Sequence, residues 1–458
     1  METTPQNPKT PTTQEAYVVT VDMGYGHQRA VYPLAHVAVA PDSWNETGST
    51  IIVANHYQGI PKRDQKLWTS GQSFYEKISR MKRIPLLGTA AFGIMDYMQR
   101  IQPFYPKRTE HDPSFQLKQI YGLIKRGWGK HLIDTLNEKP LPLITSFFTI
   151  AFFAEEHGYQ GDIYCICTDT DVSRAWAPLN AETTRIQYLA PTFRVKERLI
   201  RYGVPEKNII TTGFPLPAEN IGDDFEVLKT SVGRRLCALD PENKWREKYM
   251  KTLEQYLGTQ YCVIEDHHPL TVTFAVGGAG AQREVASTIL RSLQPHILEG
   301  RIKLNLIAGS RDDVFRYFEN LCRELGLADH GHLVNIVYDA NKYHYFEKFN
   351  HVLNETDVLW TKPSELSFYA GLGLPIIMTE PVGSQEDFNR QWLLSTGAGI
   401  DQLAPSNAGD WLLDWVHSGW LAEAAYSGFA NAPHQGTNRA LEVIFEGRTT
   451  DIEETQIL

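Results

Sequence analysis

The feature that most constrains the fold of this 458-residue chain is an alternation of short strand-like runs with longer helical patterns, which occurs twice. Apolar, β-branched runs that alternate with helices predict βαβ units and a parallel sheet. The length also suits two hydrophobic cores. We therefore predict an α/β protein with two Rossmann-like domains facing a central cleft. The predicted strands are residues 17–21, 50–54, 143–146, 163–168, 186–189 and 209–212, and then 271–276, 303–307, 334–338, 358–360 and 375–379.

The two series also set the predicted domain bounds. A polar, helix-forming stretch over 224–256 follows the first series, and we place the hinge near residues 215–220. The opening residues are rich in Thr, Pro and Gln and lack the basic and apolar regions of a secretory signal. We predict a disordered tail over 1–15, a first domain over 16–220 with a strandless excursion over 68–130, a second domain over 221–430, and a C-terminal helix and tail over 431–458.

Composition excludes several classes of protein. The five cysteines are scattered and odd in number, which favours reduced thiols in the cytosol over a disulfide framework. The longest apolar stretch, residues 141–154, is shorter than the roughly 20 residues that span a bilayer. A net charge of −10 disfavours nucleic acid as the main partner, because phosphate binding needs a dominant basic face. We expect a cytoplasmic protein that binds no nucleic acid.

A glycine-rich turn with a histidine follows the first predicted strand. This strand leads into Gly24, Gly26 and His27, after which residues 28–38 have helical character. In doubly wound sheets, ligands bind beyond the carboxyl ends of the strands, where glycine lets the backbone approach a substrate. A lone histidine is more often structural, but this position predicts that His27 faces the cleft as a catalytic group.

The second series repeats this arrangement. Its first strand, residues 271–276, leads into a glycine-rich turn, and a helix follows from Gln282 to about Leu298. Three glycines within four residues cost backbone entropy unless a positive φ or a close backbone approach requires them. A diphosphate resting on the helix N-terminus supplies such a reason, whereas a tight strand-to-helix turn is the plainer one. The residues that we expect to bind the diphosphate are Gly277, Gly278, Gly280 and Ala281, assisted by Arg283.

A third polar cluster surrounds the last predicted strand. Pro363 and Ser364 suit a helix start, and Glu365 can simply complement the helix dipole there. That explanation does not account for the polar residues 385–389, which we predict to form a loop beyond an apolar strand. A hydroxyl-rich ligand would find donors and acceptors in this loop. The predicted ligand-binding residues of the cluster are Ser364, Glu365, Gln385, Glu386 and Asn389.

These three clusters resemble those of the GT-B glycosyltransferases that include plant monogalactosyldiacylglycerol synthase, bacterial diacylglycerol glucosyltransferases and the N-acetylglucosaminyltransferase of peptidoglycan lipid assembly. The resemblance spans about residues 17–399. Residues 22–27 resemble the family's acceptor loop, residues 277–282 its diphosphate loop, and residues 385–389 its sugar-contacting loop. The resemblance implies an acceptor-binding first domain and a second domain that binds a nucleotide sugar. It further implies inverting hexosyl transfer from a UDP-sugar to a lipid or other membrane-associated acceptor, without a cofactor.

The sequence departs from the family's pattern at several positions. Met23 and Tyr25 stand where relatives favour smaller residues, and Phe147 and Phe148 stand where relatives often place a His-Pro pair. The family's ribose-binding glutamate falls on Phe368 here, so that Glu365 fills this role only if the helix start is shortened. These departures imply a divergent acceptor.

Inverting transfer needs a base for the acceptor hydroxyl and a site for the charge of the departing diphosphate. His27 is the first candidate base, because a histidine of ordinary pKa near 6.5 is available in its neutral form at cell pH. Asp169 and Asp171 are weaker candidates unless burial raises their pKa. An acid pair after an apolar strand also holds Mn²⁺ or Mg²⁺ in sugar transferases of a single-sheet fold. That fold leaves the second strand series unexplained, and we expect no metal.

Two functions of other classes stay open. A nucleotide-sugar epimerase of the same fold would convert a UDP-sugar without an acceptor, and a binding protein would bind UDP without turnover.

The composition of the excursion favours an acceptor at a membrane. Residues 74–130 contain 11 Lys and Arg against 4 Asp and Glu, interleaved with aromatic and aliphatic residues. We predict peripheral contact with the inner face of the membrane; a solvated basic loop packed on the domain by its aromatic residues is the alternative.

Overall fold

The computed structural model describes residues 14–44, 50–81, 101–107, 110–262, 268–275, 283–381 and 383–451. Within them the chain forms two parallel sheets of six strands each, with helices packed against them. The first sheet has the strand order β2-β1-β3-β4-β5-β6. All six strands predicted for the first series are confirmed. They are β1 (Tyr17–Thr20), β2 (Ile52–Val53), β3 (Leu143–Thr145), β4 (Ile163–Ile166), β5 (Gln187–Ala190) and β6 (Ile209–Thr211).

The second sheet has the strand order β12-β11-β10-β7-β8-β9. In chain order, its first five strands match the five strands predicted for the second series. The sixth, β12, was not predicted, because it has only three residues and begins with a glycine. The strands are β7 (Leu270–Ala275), β8 (Ile302–Gly309), β9 (Val334–Tyr338), β10 (Val358–Thr361), β11 (Ile376–Met378) and β12 (Gly399–Asp401).

Apolar side chains cover both faces of the first sheet, as expected for parallel strands that are buried on both sides. On β1, Val18 belongs to a core that continues into the second domain, whereas Val19 belongs to a separate core. On β4, Ile166 belongs to the same core as Val18, and Cys165 belongs to the same core as Val19. Successive residues of a strand point to opposite faces, so that each strand joins both cores.

The helices of the first domain connect its strands in βαβ units. The helical pattern over 28–38 divides into α1 and a 3₁₀ helix (Tyr32–Val37), because Pro33 lacks the N–H group that an α-helix needs in its interior. The α-helices are α1 (Gly26–Val31), α2 (Lys62–Met81), α3 (Phe115–Ile124), α4 (Lys130–Leu136), α5 (Phe148–Glu156), α6 (Phe193–Arg201) and α7 (Ala218–Ile221). Shorter 3₁₀ turns are Arg174–Trp176, Ala181–Thr183 and Glu206–Asn208.

The second domain follows the same plan, and the helical stretch predicted over 224–256 is confirmed as two helices, α8 and α9. Its α-helices are α8 (Glu226–Leu239), α9 (Arg246–Tyr256), α10 (Thr259–Cys262), α11 (Arg283–Leu298), α12 (Asp312–Glu324), α13 (Lys342–Glu355), α14 (Ser384–Thr396), α15 (Ala408–His417), α16 (Trp420–Asn431) and α17 (Gly436–Glu446). The 3₁₀ helices are Asp223–Phe225, Glu365–Leu372 and Pro405–Asn407.

The carboxyl edges of the two sheets face each other. The backbone N–H of Ser310, just beyond β8, donates to the hydroxyl of Tyr25, just beyond β1, over 2.8 Å. Lys342 at the start of α13 pairs with Asp22 beyond β1. Ligands of doubly wound sheets bind at these edges, so the fold brings both candidate ligand-binding edges to one cleft.

The chain crosses between the two sheets twice. It leaves the first sheet after β6 and returns through α17. The start of α17 lies beside the outgoing segment, where the Thr437 hydroxyl donates to the Leu216 carbonyl over 2.6 Å. Near the C-terminus, Asp451 pairs with Lys196 on α6 and accepts a hydrogen bond from the backbone N–H of Thr211. The last described residues therefore pack on the first domain.

The described part of the excursion contains most of α2, all of α3 and the first residue of α4, joined by irregular segments, and no strand. Phe104 anchors it to α6, where the Arg194 and Arg201 guanidinium groups lie 3.7 Å and 3.4 Å from the centre of its ring. Residues 82–100, with several of the predicted membrane-contacting cations, lie outside the described residues. Among the described residues, no helix combines the length and the apolar character needed to span a bilayer.

Candidate functional site

His27 lies on the first turn of α1 and is held by Ser146, the residue after β3. The His27 Nδ1 atom lies 2.8 Å from the Ser146 carbonyl oxygen, and the Ser146 hydroxyl donates to the His27 carbonyl over 2.7 Å. Gly24 makes the preceding turn possible, since its φ of +93° lies in the left-handed region. Two strand ends thus fix the ring of His27 at the carboxyl edge of the first sheet.

This contact determines the protonation state of His27. A carbonyl oxygen can only accept, so Nδ1 carries the proton and Nε2 keeps its lone pair. Burial lowers the pKa of His27 from 6.5 to about 4, against smaller opposing effects of the Ser146 hydrogen bond and of Glu365. His27 is therefore a neutral imidazole at cell pH and can accept a proton.

Asp169, beyond β4, touches the second domain through Asn389. The Asn389 side-chain amide donates to Asp169 Oδ1 over 3.0 Å, while its oxygen accepts from the backbone N–H and the hydroxyl of Thr170. Burial raises the pKa of Asp169 from 3.8 to about 6; Asn389 opposes this rise, and Glu365 and Glu386 add to it. Asp169 is thus a second group near the cleft whose pKa approaches neutral pH.

Asp171 differs from its neighbour because it is paired. Its carboxylate accepts from the Arg198 guanidinium at 2.9 Å and 2.8 Å, and both side chains are almost completely buried. The Val172 backbone N–H donates to the same carboxylate. With these three bonds, Asp171 connects the end of β4 to α6 rather than offering a free carboxylate.

Glu365 begins the 3₁₀ helix after β10 and faces α1 of the first domain. Its carboxylate pairs with Arg29 at 3.4 Å, and a Cβ atom on Gly26 would lie 3.3 Å from Glu365 Oε2. Gly26 therefore permits this close approach. Ser364 precedes this helix, but its side chain makes no capping hydrogen bond.

The polar residues 385–389 lie on α14, so the prediction of a loop there is wrong. Glu386 and Asp387 fall in the first turn, where their charges complement the helix dipole. Glu386 pairs with Lys362 beyond β10. Gln385 lies near Gly383, since a Cβ atom on Gly383 would lie 3.4 Å from the Gln385 side-chain oxygen. Asn389 is completely buried between the domains, and its amide also donates to the Pro363 carbonyl over 3.3 Å.

The predicted diphosphate loop lies outside the described residues, which include neither Gly277 and Gly278 nor Gly280 and Ala281. The helix predicted to follow it is confirmed as α11, and Arg283 is its first residue. In this conformation the Arg283 guanidinium pairs with Asp313 at 3.7 Å and lies 5.3 Å from the Tyr317 ring centre. Arg283 thus lies beside the loop that it was predicted to assist.

Two residues of this cleft were missed by sequence reasoning. Ser146 lies at the carboxyl edge of the first sheet and Arg29 lies on α1, and both make contacts distant in sequence. Ser146 follows an apolar strand directly, and this position was the available signal for it. Among the described residues, no group of three or more His, Cys, Asp or Glu side chains could hold a metal ion.

Comparison with known proteins relates the chain to lipid glucosyltransferases. No family model matches. The processive diacylglycerol β-glucosyltransferase of Bacillus cereus (strain B4264) is 23% identical over 297 residues, which are 62% of this chain and 64% of that protein. The enzyme of the same name from Bacillus cytotoxicus is 24% identical over 275 residues, 59% of this chain and 58% of that protein. The match therefore spans less than two thirds of these relatives.

Solved structures give weaker similarities. The S. aureus MnaA–UDP co-structure aligns with a TM-score of 0.47 at 12% identity and covers 96% of this chain and 100% of that one. Acinetobacter baumannii MurG aligns with a TM-score of 0.37 at 12% identity, with 81% and 96% covered. The fold follows from the chain's own two sheets and their facing carboxyl edges. The two Rossmann-like domains, with the carboxyl edges of their sheets facing each other, have the architecture of the GT-B fold.

Proposed function

We propose that this chain is an inverting glycosyltransferase that moves a hexose from a UDP-sugar to a lipid or other membrane-associated acceptor. The observation that carries the proposal is the neutral His27, fixed by Ser146 at the carboxyl edge of the first sheet with Nε2 free of any described partner. A base in this position can act on an acceptor hydroxyl between two facing sheets.

In the proposed reaction, Nε2 of His27 takes the proton of the acceptor hydroxyl as the oxygen attacks the anomeric carbon of the donor. The bond between that carbon and the diphosphate oxygen breaks on the opposite face, which inverts the configuration. UDP leaves with the electron pair, and the imidazolium of His27 later gives its proton to water. Since the pKa of His27 is about 4, the imidazolium returns this proton readily.

The second domain supplies the donor side of the proposal. We assign the diphosphate to the glycine-rich loop 277–281 at the start of α11, where backbone N–H groups favour an anion. Glu365 and Asn389 of α14 face the first domain across the cleft, which suits hydrogen bonding to ribose or sugar hydroxyls near them. Asp169 is the alternative base, and its pKa of about 6 makes it a stronger base than His27, whose pKa is about 4.

Two observations support a lipid acceptor. The curated relatives are named as enzymes that act on diacylglycerol. The excursion is the most basic part of an acidic chain, with 11 Lys and Arg against 4 Asp and Glu in residues 74–130. Basic and aromatic residues together favour the surface of an anionic membrane. On this proposal the protein works in the cytoplasm, on the inner face of the membrane.

The test is a transfer assay with the full chain. A thermal-shift screen of UDP, GDP, CDP and dTDP sugars first identifies the nucleotide, because a bound ligand stabilises the folded protein. The selected donor is then incubated with vesicles that contain diacylglycerol, and released UDP and glycosylated lipid are measured. We expect both products in equal amounts, with inverted configuration. Conversion of the UDP-sugar without an acceptor would instead indicate an epimerase, and binding without turnover would indicate a binding protein.

A further inference from the structure

Arg29, two residues after His27 on α1, extends from the first domain into an aromatic pocket of the second. Its guanidinium lies 4.3 Å from the Phe349 ring centre, 5.0 Å from that of Phe346 and 5.4 Å from that of Tyr345. All three rings belong to α13. Arg29 is only 4% exposed, so that this charge is removed from water almost entirely.

Polar contacts fix the guanidinium inside this pocket. Its Nη2 atom donates to the Tyr345 hydroxyl over 2.6 Å, and Nε lies 3.4 Å from the Glu365 carboxylate. A buried cation is costly without a nearby anion, and Glu365 is the anion here. Both partners belong to the second domain, so opening the cleft would break all of these contacts together.

The connection to the candidate site is direct. Arg29 and His27 share the six-residue helix α1, while Glu365 begins the 3₁₀ helix on the opposite edge. Planar guanidinium groups bind carboxylates and stack on aromatic rings with a defined orientation, which an ammonium group does not impose. Because Arg29 is part of the helix that carries His27 and its side chain holds Glu365, it limits the distance between His27 and Glu365.

We infer that Arg29 is a positioning residue: it holds the two domains in the closed arrangement in which Glu365 faces the helix of His27. The inference rests on the proposed function only where it concerns turnover. The arrangement of the two domains can be measured without any activity.

The first test uses Arg29→Met, which removes the charge and keeps most of the side-chain volume. Small-angle X-ray scattering of the full chain should give a larger radius of gyration than for the wild type. UDP affinity, measured by calorimetry, should fall less than kcat does, because the proposed diphosphate loop belongs to the second domain and only Glu365 of the assigned nucleotide site loses a partner. In the transfer assay, kcat should fall at least tenfold with a smaller change in the KM of the donor.

Two further variants complete the experiment. Arg316→Met is the matched control, because Arg316 is an exposed arginine on α12 that pairs with Asp312 of the same helix. It should leave scattering and turnover unchanged. Tyr345→Phe keeps the ring and removes one hydroxyl acceptor of Arg29, so it serves if Arg29→Met fails to fold. It should lower kcat about twofold to fivefold, which is a smaller fall than that expected for Arg29→Met.

The outcomes separate this inference from the proposed function. A chain without transferase activity would overturn the proposed function, whereas the scattering comparison would still decide the role of Arg29. A folded Arg29→Met or Tyr345→Phe protein with the wild-type radius of gyration and wild-type kcat would overturn the inference. A lower melting temperature without change in either quantity would overturn it as well, because it would assign Arg29 to stability alone.

Discussion

The Nδ1 atom of His27 lies 2.8 Å from the carbonyl oxygen of Ser146, and this contact leaves the opposite ring nitrogen free to act as a base. We therefore expect His27→Ala to lower kcat by about 10²-fold to 10⁴-fold, the usual contribution of a general base. UDP affinity should change less than threefold, because the residue acts on the acceptor. His344→Ala is the control, since His344 is an exposed histidine on α13. An unchanged kcat would leave His27 with a structural role only.

The lowered pKa of His27 also predicts a pH dependence. The group titrates near 6.5 when unfolded and near 4 when folded. Its contribution to the free energy of unfolding is therefore fully present above pH 6.5 and is lost as the pH falls towards 4. The wild type should lose more stability than His27→Ala over this range, as measured by urea unfolding at a series of pH values. Parallel pH profiles of the two proteins would contradict the assigned protonation state.

The raised pKa of Asp169 has the opposite effect on how stability changes with pH. Burial raises it from 3.8 to about 6, so the folded state favours the protonated acid, and this contribution is lost as the pH rises through 6. Asp169→Asn keeps an oxygen for the Asn389 amide and removes the charge. It should increase the free energy of unfolding by up to about 3 kcal/mol at pH 8, with little effect near pH 4. Equal stabilisation at both pH values would exclude titration of Asp169 as the cause.

Asp171→Asn should destabilise the protein instead, because it leaves Arg198 buried without its anion. Breaking one partner of a buried ion pair costs about 3–5 kcal/mol. Asp134→Asn is the control, since Asp134 forms an exposed pair with Lys130 that should contribute little. Urea unfolding measures both variants. A stable Asp171→Asn protein with greatly reduced kcat would instead support the catalytic role that the sequence suggested for Asp171.

The diphosphate loop gives a prediction from sequence alone, since it lies outside the described residues. Gly278→Val or Gly280→Val should weaken UDP binding at least tenfold, because a side chain would occupy the place of the phosphate. Gly331→Val is a suitable control: a Cβ atom there would meet nothing within 4 Å. Calorimetry with UDP measures all three variants. Wild-type affinity in a folded Gly278→Val, Gly280→Val double variant would exclude the loop from the nucleotide site.

The basic excursion predicts binding to anionic vesicles. Each well-placed cation adds about 1 kcal/mol at an anionic surface, and salt screens this contribution. Co-sedimentation should require anionic lipid, weaken with salt and disappear when Lys82, Arg83, Lys107 and Arg108 are changed to Glu. The matched control changes four exposed cations elsewhere to Glu, namely Lys139, Lys244, Arg316 and Lys348. Equal recovery in the supernatant with and without anionic lipid would point to a soluble acceptor.

The sequence was sufficient for eleven of the twelve described strands and for the edge of the sheets at which polar residues gather, because both follow from local patterns. Position after an apolar strand selected His27 and Asp169, and both lie at the cleft. The same argument could not separate Asp169 from Asp171. The two residues differ because Asp171 is paired with the Arg198 guanidinium, and Arg198 lies 27 positions away from it in the sequence.

Long-range pairing explains the remaining gaps. Arg29 bonds to Tyr345, which is 316 positions away, and an arginine on a short helix has no local pattern that reveals an aromatic partner. Residues 385–389 look like a loop because they are polar and follow a glycine. They form a helix whose buried member, Asn389, bonds to Thr170, 219 positions away. Tertiary contacts of this kind determine which side chains line the cleft. A local sequence pattern cannot predict them, because the two partners lie hundreds of positions apart.

The two crossings of the chain lie side by side, since a Cβ atom on Gly436 would collide with the carbonyl of Phe214. Opening of the cleft is therefore confined to rotation about this pair of crossings, and the two domains cannot swivel freely. If a protease cuts one crossing, the other still holds both halves of the candidate site at an effective concentration of about millimolar. A protein cut at both crossings must reassemble its site as a bimolecular complex, and its activity would then depend on dilution.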